Sequence, residues 1–362
     1  MTASQDPVVF DTRPTADDHL LGIARLNQPR SLNALSLDMI RLLHKQLSRW
    51  AEDDRIVAVW LEGSGEKAFC AGGDIVALYK AMTGDNENSL DAGVAFFTEE
   101  YQLDYQIHDY PKPIIAWGHG VVMGGGIGLF VGASHRIVTE TARIAMPESS
   151  IGLYPDVGAS WFLNRMPGRT GLFLGITGAS MNAADALYVG LADHYIEQGQ
   201  REALLEAICQ SEALAAHPRA TIDEACAEMA KLALRSLPES PLCSARDEID
   251  ELTDATELKA VTQQLAGYSG EATILQKAAE AVRKASPTSM AIFWRQWQRA
   301  AHEDLETVFQ QELQLSIRCL QLGEFAEGVR ALLIDKDKNP KWRYQTVAEL
   351  EPEWIDRFFA TA

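Results

Sequence analysis

The sequence has few basic residues relative to acidic ones, and it has no long apolar run. Among its 362 residues, 32 are Lys or Arg and 51 are Asp or Glu, which gives a formal net charge of −19. Such a charge opposes the wrapping of a nucleic acid backbone or an anionic bilayer around the protein. Gly or charged residues interrupt every apolar stretch well short of the roughly 20 residues that a membrane-spanning helix needs. Partners of these kinds are therefore excluded.

Cysteines and metal-binding patterns are also scarce. The five cysteines form no CxxC pair, which argues against a disulfide framework or a zinc knuckle. The eight histidines show no metal-ligand clustering and the motif HExxH is absent, so no metal site is predicted. The nucleophile motif GxSxG and the phosphate-binding motif GxxxxGK are absent as well.

The first 20 residues have neither a basic segment followed by an apolar run nor an Arg-rich transit pattern, so a cytoplasmic location is expected.

The chain changes in composition near residue 200. Residues 1–199 mix β-branched runs with Gly-rich turns, whereas residues 200–362 are rich in Ala, Leu, Glu and Gln at helical spacing. In the first part we predict strands at 20–26, 56–61, 113–117, 136–139 and 143–146, and helices at 36–50, 124–132, 170–177 and 183–189. This alternation favours crossover β/α units. We therefore predict an α/β region over 1–199 and a helical region over 200–362.

Two glycine-rich segments are the first candidates for a site. Residues 118–128 read GHGVVMGGGIG and lead into an apolar helical run, and residues 67–75 read KAFCAGGDI before a second predicted helix. Because glycine in a helix costs about 1 kcal/mol relative to alanine, such clusters need a reason. That reason is either close backbone packing or exposed N–H groups aimed at an anion or a developing oxyanion. Both interpretations stay open, although two such helix starts supply the pair of donors that an oxyanion hole needs.

Carboxylates in apolar surroundings are the second candidates. Glu148 and Asp156 lie eight positions apart among Met, Pro, Ile, Leu and Tyr residues, a setting that can raise the pKa of a carboxyl group toward general acid/base use. The alternative is two loop carboxylates, one capping a helix and one in a Pro-Asp turn. Glu100 lies in a helical run, where an acidic residue is more typical of a solvated face. His119 has no Ser or Cys nucleophile in a sharp-turn motif to accompany it.

Taken together, these segments resemble the crotonase (enoyl-CoA hydratase/isomerase) superfamily. The matching stretches read NQPRSLNAL at 27–35, KAFCAGGDI at 67–75, HGVVMGGGIG at 119–128 and MPESSIGLYPDVG at 146–158. Two later stretches are similar to the 3-hydroxyisobutyryl-CoA hydrolase branch, namely ASPTS at 285–289 and FAEGVRALLIDKDKNPKW at 325–342. The resemblance is nearly full length. It implies a spiral of repeated ββα units followed by an α-helical C-terminal region that completes one catalytic unit.

The resemblance also implies where a thioester would bind. By position, the backbone N–H groups of Gly73 and Gly125 form the oxyanion hole, because only glycine lets the carbonyl approach so closely. The CoA portion of the substrate would follow the residues Arg30, Leu32, Lys67 and Ala71. The resemblance implies no cofactor other than the CoA that the substrate carries. Since many superfamily members are homo-oligomers, a homo-oligomer is possible here.

Carboxylates decide the chemistry within this superfamily. Enoyl-CoA hydratases have one glutamate directly after the Gly-Gly-Gly-x stretch, where this chain has Gly128, and a second one at the position of Glu148. The hydrolase branch instead has acids that match Asp156 and Glu100. The resemblance therefore implies that Glu148 and Asp156 are catalytic together with the two glycine amides, and that the acyl group contacts Glu100, Gly125, Glu148 and Asp156.

The resulting prediction is an acyl-CoA thioester hydrolase. Its substrate would be 3-hydroxyisobutyryl-CoA, cleaved to 3-hydroxyisobutyrate and CoA in valine catabolism, with Glu148 as general base or nucleophile. The first alternative is an enoyl-CoA hydratase or isomerase that uses Glu148 alone or with Asp156. The second is a non-catalytic acyl-CoA-binding protein, which would leave the three acids unexplained.

Overall fold

A computed structural model describes residues 6–83 and 89–360 of the chain. The strands are β1 (Val8–Pro14), β2 (Leu20–Leu26), β3 (Ile56–Gly63), β4 (Ala68–Cys70), β5 (Ile114–Gly118), β6 (Val121–Met123), β7 (His135–Val138), β8 (Arg143–Ala145) and β9 (His194–Tyr195). The helices up to β9 are α1 (Leu37–Glu52), α2 (Ile75–Thr83), α3 (Ser89–His108), α4 (Gly125–Val131), α5 (Ala159–Phe162), α6 (Thr170–Thr177) and α7 (Ala183–Tyr188).

Every regular element described after β9 is helical. The α-helices are α8 (Arg201–Cys209), α9 (Pro218–Ala233), α10 (Pro241–Ser244), α11 (Arg246–Thr253), α12 (Leu258–Ala266), α13 (Thr273–Lys284), α14 (Pro287–Arg299), α15 (Leu305–Leu322), α16 (Phe325–Val329) and α17 (Pro352–Phe359). The prediction of a helical region after residue 200 is therefore confirmed.

The strands form two sheets. The larger one has six strands in the order β1-β2-β3-β5-β7-β9, and the smaller one has the order β4-β6-β8. β1 pairs antiparallel with β2, and the later pairs of the larger sheet are parallel. Parallel neighbours need crossover connections, and the crossovers after β3, β5 and β7 each begin with a short strand of the smaller sheet and continue into helix. This repeated ββα pattern confirms the predicted fold class.

Most predicted elements of the first 199 residues are present within one or two residues of their predicted ends. Helix α1 begins after Ser36, whose side chain accepts a hydrogen bond from the Met39 N–H at 3.3 Å and so caps the helix. Strands β1, β4, β6 and β9 were not predicted. The last three have at most three residues each, too few to show an alternation of apolar and polar residues.

The chain folds into two compact units, each built from three segments. The first unit contains the described residues up to Gly73 together with Gln102–Ile144 and Met181–Ser240, and the second contains Asp74–Tyr101, Ala145–Ser180 and the residues from Pro241 onward. The predicted boundary after residue 199 falls inside the first unit. The reason is that α8 and α9 contribute their apolar faces to the core of the larger sheet.

One hydrophobic cluster forms the core of the first unit. Trp60 of β3 and Trp117 of β5 stack with their ring centroids 5.5 Å apart, and Leu204 and Ile208 of α8 and Ile222 of α9 pack in the same cluster. The sheet thereby gives a fixed frame to the turns that follow its strands.

Two kinds of feature are absent from residues 6–83 and 89–360. None of the helices there combines the length and apolar character that crossing a membrane requires. No group of three or more His, Cys, Asp or Glu side chains in those ranges is arranged to hold a metal ion.

Candidate active site

Two glycine turns lie against each other in the first unit. Gly72 (φ +101°) precedes Gly73, and Gly124 (φ +49°) precedes Gly125, the first residue of α4. A Cβ atom on Gly72 would lie 3.1 Å from the Met123 carbonyl oxygen and 3.7 Å from the Gly125 nitrogen. Within the described part of the chain, neither the Gly73 N–H nor the Gly125 N–H donates a hydrogen bond. The fold thus brings together the two predicted donors of an oxyanion hole.

Other glycines of the same cluster are required for packing. A Cβ atom on Gly126 would lie 2.3 Å from the Cys70 carbonyl oxygen, and one on Gly128 would lie 2.5 Å from Asp104 Oδ2. Both interpretations of the cluster therefore apply, each to different residues. Gly128 is the position at which the resemblance places a glutamate in hydratases, and here the buried Asp104 occupies the space that such a side chain would need.

We expect Gly128→Ala to lower the free energy of unfolding by about 1–3 kcal/mol, because the added methyl group overpacks against Asp104. In an unobstructed helix the same change would stabilise the protein by about 1 kcal/mol. A loss of stability would therefore show that Asp104 obstructs the added methyl group. Urea denaturation measures it. Gly199→Ala is the matched control, since a Cβ atom there would have no neighbour within 4 Å. Equal stability of the two variants would show that the position has room for a side chain.

The residues predicted to follow CoA come from two neighbouring segments of the first unit. Leu32 (φ +55°) accepts a backbone hydrogen bond from the Ala71 N–H at 3.0 Å. Arg30 and Lys67 are exposed. The buried Asn33 fixes these segments, because its amide donates to the carbonyls of Ser64 at 3.0 Å and Ala68 at 2.9 Å. The structure thus holds together the two segments that carry the four predicted residues.

Glu148 and Asp156 both lie in the second unit, and both are buried. Glu148 begins the 3-10 helix Glu148–Ile151 with its side chain 5 % exposed, and Asp156 is 3 % exposed. Burial of both carboxyl groups agrees with the apolar surroundings that the sequence predicts for them. Glu100 is also buried in this unit, at 2 % exposure, so its assignment to a solvated face is wrong.

The two acids have different surroundings. Glu148 Oε2 is buried without a hydrogen-bond partner among the described residues, whereas Asp156 Oδ2 accepts a hydrogen bond from the Tyr101 hydroxyl at 2.6 Å. Burial raises the pKa of Glu148 well above its ordinary value, and the nearby Asp156 charge raises it further. Burial also raises the pKa of Asp156, to about 6, while the Tyr101 hydrogen bond opposes that shift. Both acids therefore retain a proton more readily than a solvated carboxyl group does, which suits them to acid/base roles.

Buried polar groups around Asp156 are not evident from the sequence. The Tyr101 hydroxyl lies 2.7 Å from Ser316 Oγ, which lies 3.1 Å from the Tyr154 hydroxyl, and Tyr154 donates to the Glu312 carbonyl oxygen at 2.7 Å. Tyr154 belongs to the loop of Asp156, whereas Tyr101 lies on α3 and the other two residues lie on α15. Because these elements are far apart in the sequence, no local pattern predicts that their hydroxyl groups meet.

The Glu312 side chain fixes the turn that follows Asp156. It accepts hydrogen bonds from the Gly158 N–H at 2.6 Å and the Ser160 N–H at 3.0 Å, and a third from the Ser160 hydroxyl. Burial raises the pKa of Glu312 to about 8, and these three donors oppose the shift. Its position on the apolar face of α15, beside Val308 and Phe309, is the signal in the sequence that could have identified it.

His119 has a structural environment in the first unit. Its Nε2 lies 2.9 Å from the Gly65 carbonyl oxygen, and burial lowers its pKa. A neutral imidazole that donates to a backbone carbonyl stabilises the loop that carries Lys67. This agrees with the absence of an accompanying nucleophile in the sequence.

Comparison with known proteins adds evidence from the whole chain. The family model described as enoyl-CoA hydratase/isomerase matches residues 21–359. The protein named 3-hydroxyisobutyryl-CoA hydrolase, mitochondrial, of Danio rerio is 39 % identical over 342 residues, which cover 94 % of this chain and 87 % of that protein. The protein of the same name from Homo sapiens is 34 % identical and is matched over 93 % of this chain and 86 % of its own length.

Solved structures of similar proteins have other names. The crystal structure of an enoyl-CoA hydratase from Rhodobacter sphaeroides matches with a TM-score of 0.83 and 32 % identity, over 98 % of this chain and 97 % of that one. A carnitinyl-CoA dehydratase from Mycobacterium thermoresistibile matches with a TM-score of 0.84 and 33 % identity, over 98 % and 96 % of the respective chains. The names of the similar proteins thus divide between a hydrolase and two lyases.

Proposed function

This chain belongs to the enoyl-CoA hydratase/isomerase family, and on that premise we propose that it is an acyl-CoA thioester hydrolase whose substrate is 3-hydroxyisobutyryl-CoA. The curated relatives from Danio rerio and Homo sapiens are named for that activity. The observation that carries the proposal is the replacement of the first hydratase glutamate by Gly128, next to a buried Asp104 that leaves no room for a side chain. The product would be 3-hydroxyisobutyrate, which places the reaction in valine catabolism.

In the proposed reaction, the Gly73 and Gly125 N–H groups hold the thioester carbonyl oxygen and stabilise the negative charge that develops on it. Glu148 either removes a proton from the attacking water or attacks the carbonyl carbon itself to form a short-lived anhydride. In both routes the C–S bond breaks, CoA leaves as its thiol, and water supplies the oxygen of the new carboxylate. Asp156 orients the substrate hydroxyl or the water, and Glu100 contacts the polar end of the acyl group.

The CoA portion is itself a polyanion, so the net charge of −19 does not attract it. We propose that exposed cations next to the glycine turns, Arg30 and Lys67, provide local attraction for its phosphates. No further cofactor is needed for this chemistry. A homo-oligomeric assembly and a cytoplasmic location remain predictions; the two relatives are named mitochondrial, and fractionation of cells that express the protein would decide the location.

The names of the two solved structures favour a second candidate, an enoyl-CoA hydratase or dehydratase. Incubation of the purified protein with 3-hydroxyisobutyryl-CoA and, separately, with crotonyl-CoA distinguishes the two. We expect the first substrate to release a free thiol that a disulfide reagent detects, because only hydrolysis liberates CoA. Loss of the crotonyl double bond without thiol release from either substrate would instead establish the lyase. Binding without turnover of either ester would establish a non-catalytic protein.

A further inference from the structure

A chain of three buried hydroxyl groups joins Asp156 to a backbone carbonyl in the second unit. The contacts run from Asp156 Oδ2 to Tyr101 at 2.6 Å, from Tyr101 to Ser316 at 2.7 Å, from Ser316 to Tyr154 at 3.1 Å, and from Tyr154 to the Glu312 carbonyl oxygen at 2.7 Å. Ser316 and Tyr154 are fully buried. The protons that the three hydroxyl groups supply can therefore be counted against the contacts that they make.

Four contacts need four protons, and the three hydroxyl groups supply three. The Glu312 carbonyl oxygen can only accept, so Tyr154 donates to it. If Asp156 is ionised, Tyr101 donates to the carboxylate and Ser316 donates to Tyr101, which leaves no proton between Ser316 and Tyr154. A proton on Asp156 Oδ2 removes this deficit, because every group then donates toward the Glu312 carbonyl. The 3.1 Å Ser316–Tyr154 contact is the longest of the four.

Tyr101 and Ser316 therefore act on Asp156 in opposite directions. The hydrogen bond from Tyr101 to an ionised carboxylate is charge-assisted, so it favours the anion. The Ser316 hydroxyl favours the protonated acid, because only with Ser316 present can Tyr101 turn its proton away from Asp156 and still donate a hydrogen bond. Rotation about C–O bonds is enough to change between the two arrangements, with no movement of the backbone.

We infer that this hydroxyl chain stabilises the protonated form of Asp156, so that Ser316 increases the affinity of Asp156 for a proton. Ser316 is then a positioning residue that acts through Tyr101. The inference rests on the proposed function for the role of Asp156. It adds a reason for a hydroxyl group on α15, an element to which the proposed reaction assigns no direct part.

The other titratable groups that face Asp156 do not provide the missing proton. They are Glu148 of the 3-10 helix, Glu312 and Cys319 of α15, and the two tyrosines themselves. Burial raises the pKa of Cys319, so its thiol stays neutral. Glu312 directs its carboxyl group to the Gly158 and Ser160 donors rather than to the hydroxyl chain.

The test follows the protonation of Asp156 directly. The full chain is labelled with aspartate that carries carbon-13 in its carboxyl group, and the Asp156 signal is identified by its loss in Asp156→Asn. We expect Ser316→Ala to shift the titration midpoint of Asp156 to lower pH by about half a unit to one unit, which corresponds to one neutral hydrogen bond. Tyr101→Phe removes the donor to the anion, so it should shift the midpoint to higher pH.

Two controls keep the result interpretable. Thr253→Val removes a buried hydroxyl that bonds carbonyls of its own helix, and it should leave the Asp156 midpoint unchanged. Ser316→Thr keeps a hydroxyl, so it should restore the wild-type midpoint if Ser316→Ala is poorly folded. A midpoint that stays fixed or rises in Ser316→Ala, or that moves in the same direction in both the Ser316 and Tyr101 variants, would overturn the inference. Because the readout needs no turnover, absence of thioester hydrolysis would refute only the proposed function.

Discussion

Replacement of Glu148 by glutamine is expected to lower kcat for thioester hydrolysis by about 10²–10⁴-fold, the usual contribution of a general base. The amide keeps the shape of the carboxyl group but neither accepts the water proton nor attacks the carbonyl carbon. Thiol release from 3-hydroxyisobutyryl-CoA measures the loss. Binding of the CoA ester, measured by calorimetry, should change little, because the glycine amides and the CoA-binding segments are unaltered.

The same substitution also has an expected effect on stability that separates chemistry from folding. Glu148 is buried with one carboxyl oxygen unpaired, so a neutral amide removes a charge that is costly to bury. We therefore expect the free energy of unfolding of Glu148→Gln at neutral pH to equal or exceed that of the wild type. Glu280→Gln, at an exposed position on α13, is the matched control for activity. Thiol release at the wild-type rate by Glu148→Gln would refute its assigned role.

Replacement of Gly125 by proline is expected to lower kcat by about 10²–10³-fold, the loss that follows removal of one oxyanion-hole donor. Proline has no N–H group, and Gly125 is the first residue of α4, where proline is tolerated because that N–H has no partner within the helix. The substitution thus removes the donor and keeps the helix start. The measurement is again the rate of thiol release at a saturating concentration of substrate.

Gly125→Ala is the matched control for the proline variant, because it adds a side chain and retains the N–H group. A clear difference in kcat between the alanine and proline variants assigns the loss to the missing donor. If the two variants lose activity equally, the loss comes from the added side-chain atoms, and the Gly125 amide has no part in an oxyanion hole. Circular dichroism checks that α4 and the sheets are unchanged in both.

Local patterns predicted most of the fold. Helix α1 is indicated by an apolar face that repeats at helical spacing, and the parallel strands by short apolar runs between turns. Such signals lie within short segments, so no knowledge of the rest of the chain is needed to detect them. The grouping of α8 and α9 with the sheet could not be found in this way, because composition does not report which surface a helix covers.

The candidate site also contains some features that short segments specify and others that they do not. The glycine turns before Ile75 and at the start of α4 are local, because a positive φ and a close backbone approach are properties of the segment itself. Resemblance to a family then selected Glu148 and Asp156 among 51 acidic residues. Residue types alone assigned Glu100 to a solvated face, and the structure shows it buried.

By itself, the sequence determined the class of fold and the two glycine turns, and its resemblance to a family selected the acids that we propose to be catalytic. Only the tertiary structure decided that Asp104 fills the space beside Gly128, and that Tyr101, Ser316 and Tyr154 connect Asp156 to the Glu312 carbonyl. The physical reason is that a hydrogen bond or a steric contact depends on distances of a few ångströms between side chains far apart in the sequence. Burial then gives those contacts their effect on protonation, since an acid without water depends on its few neighbours.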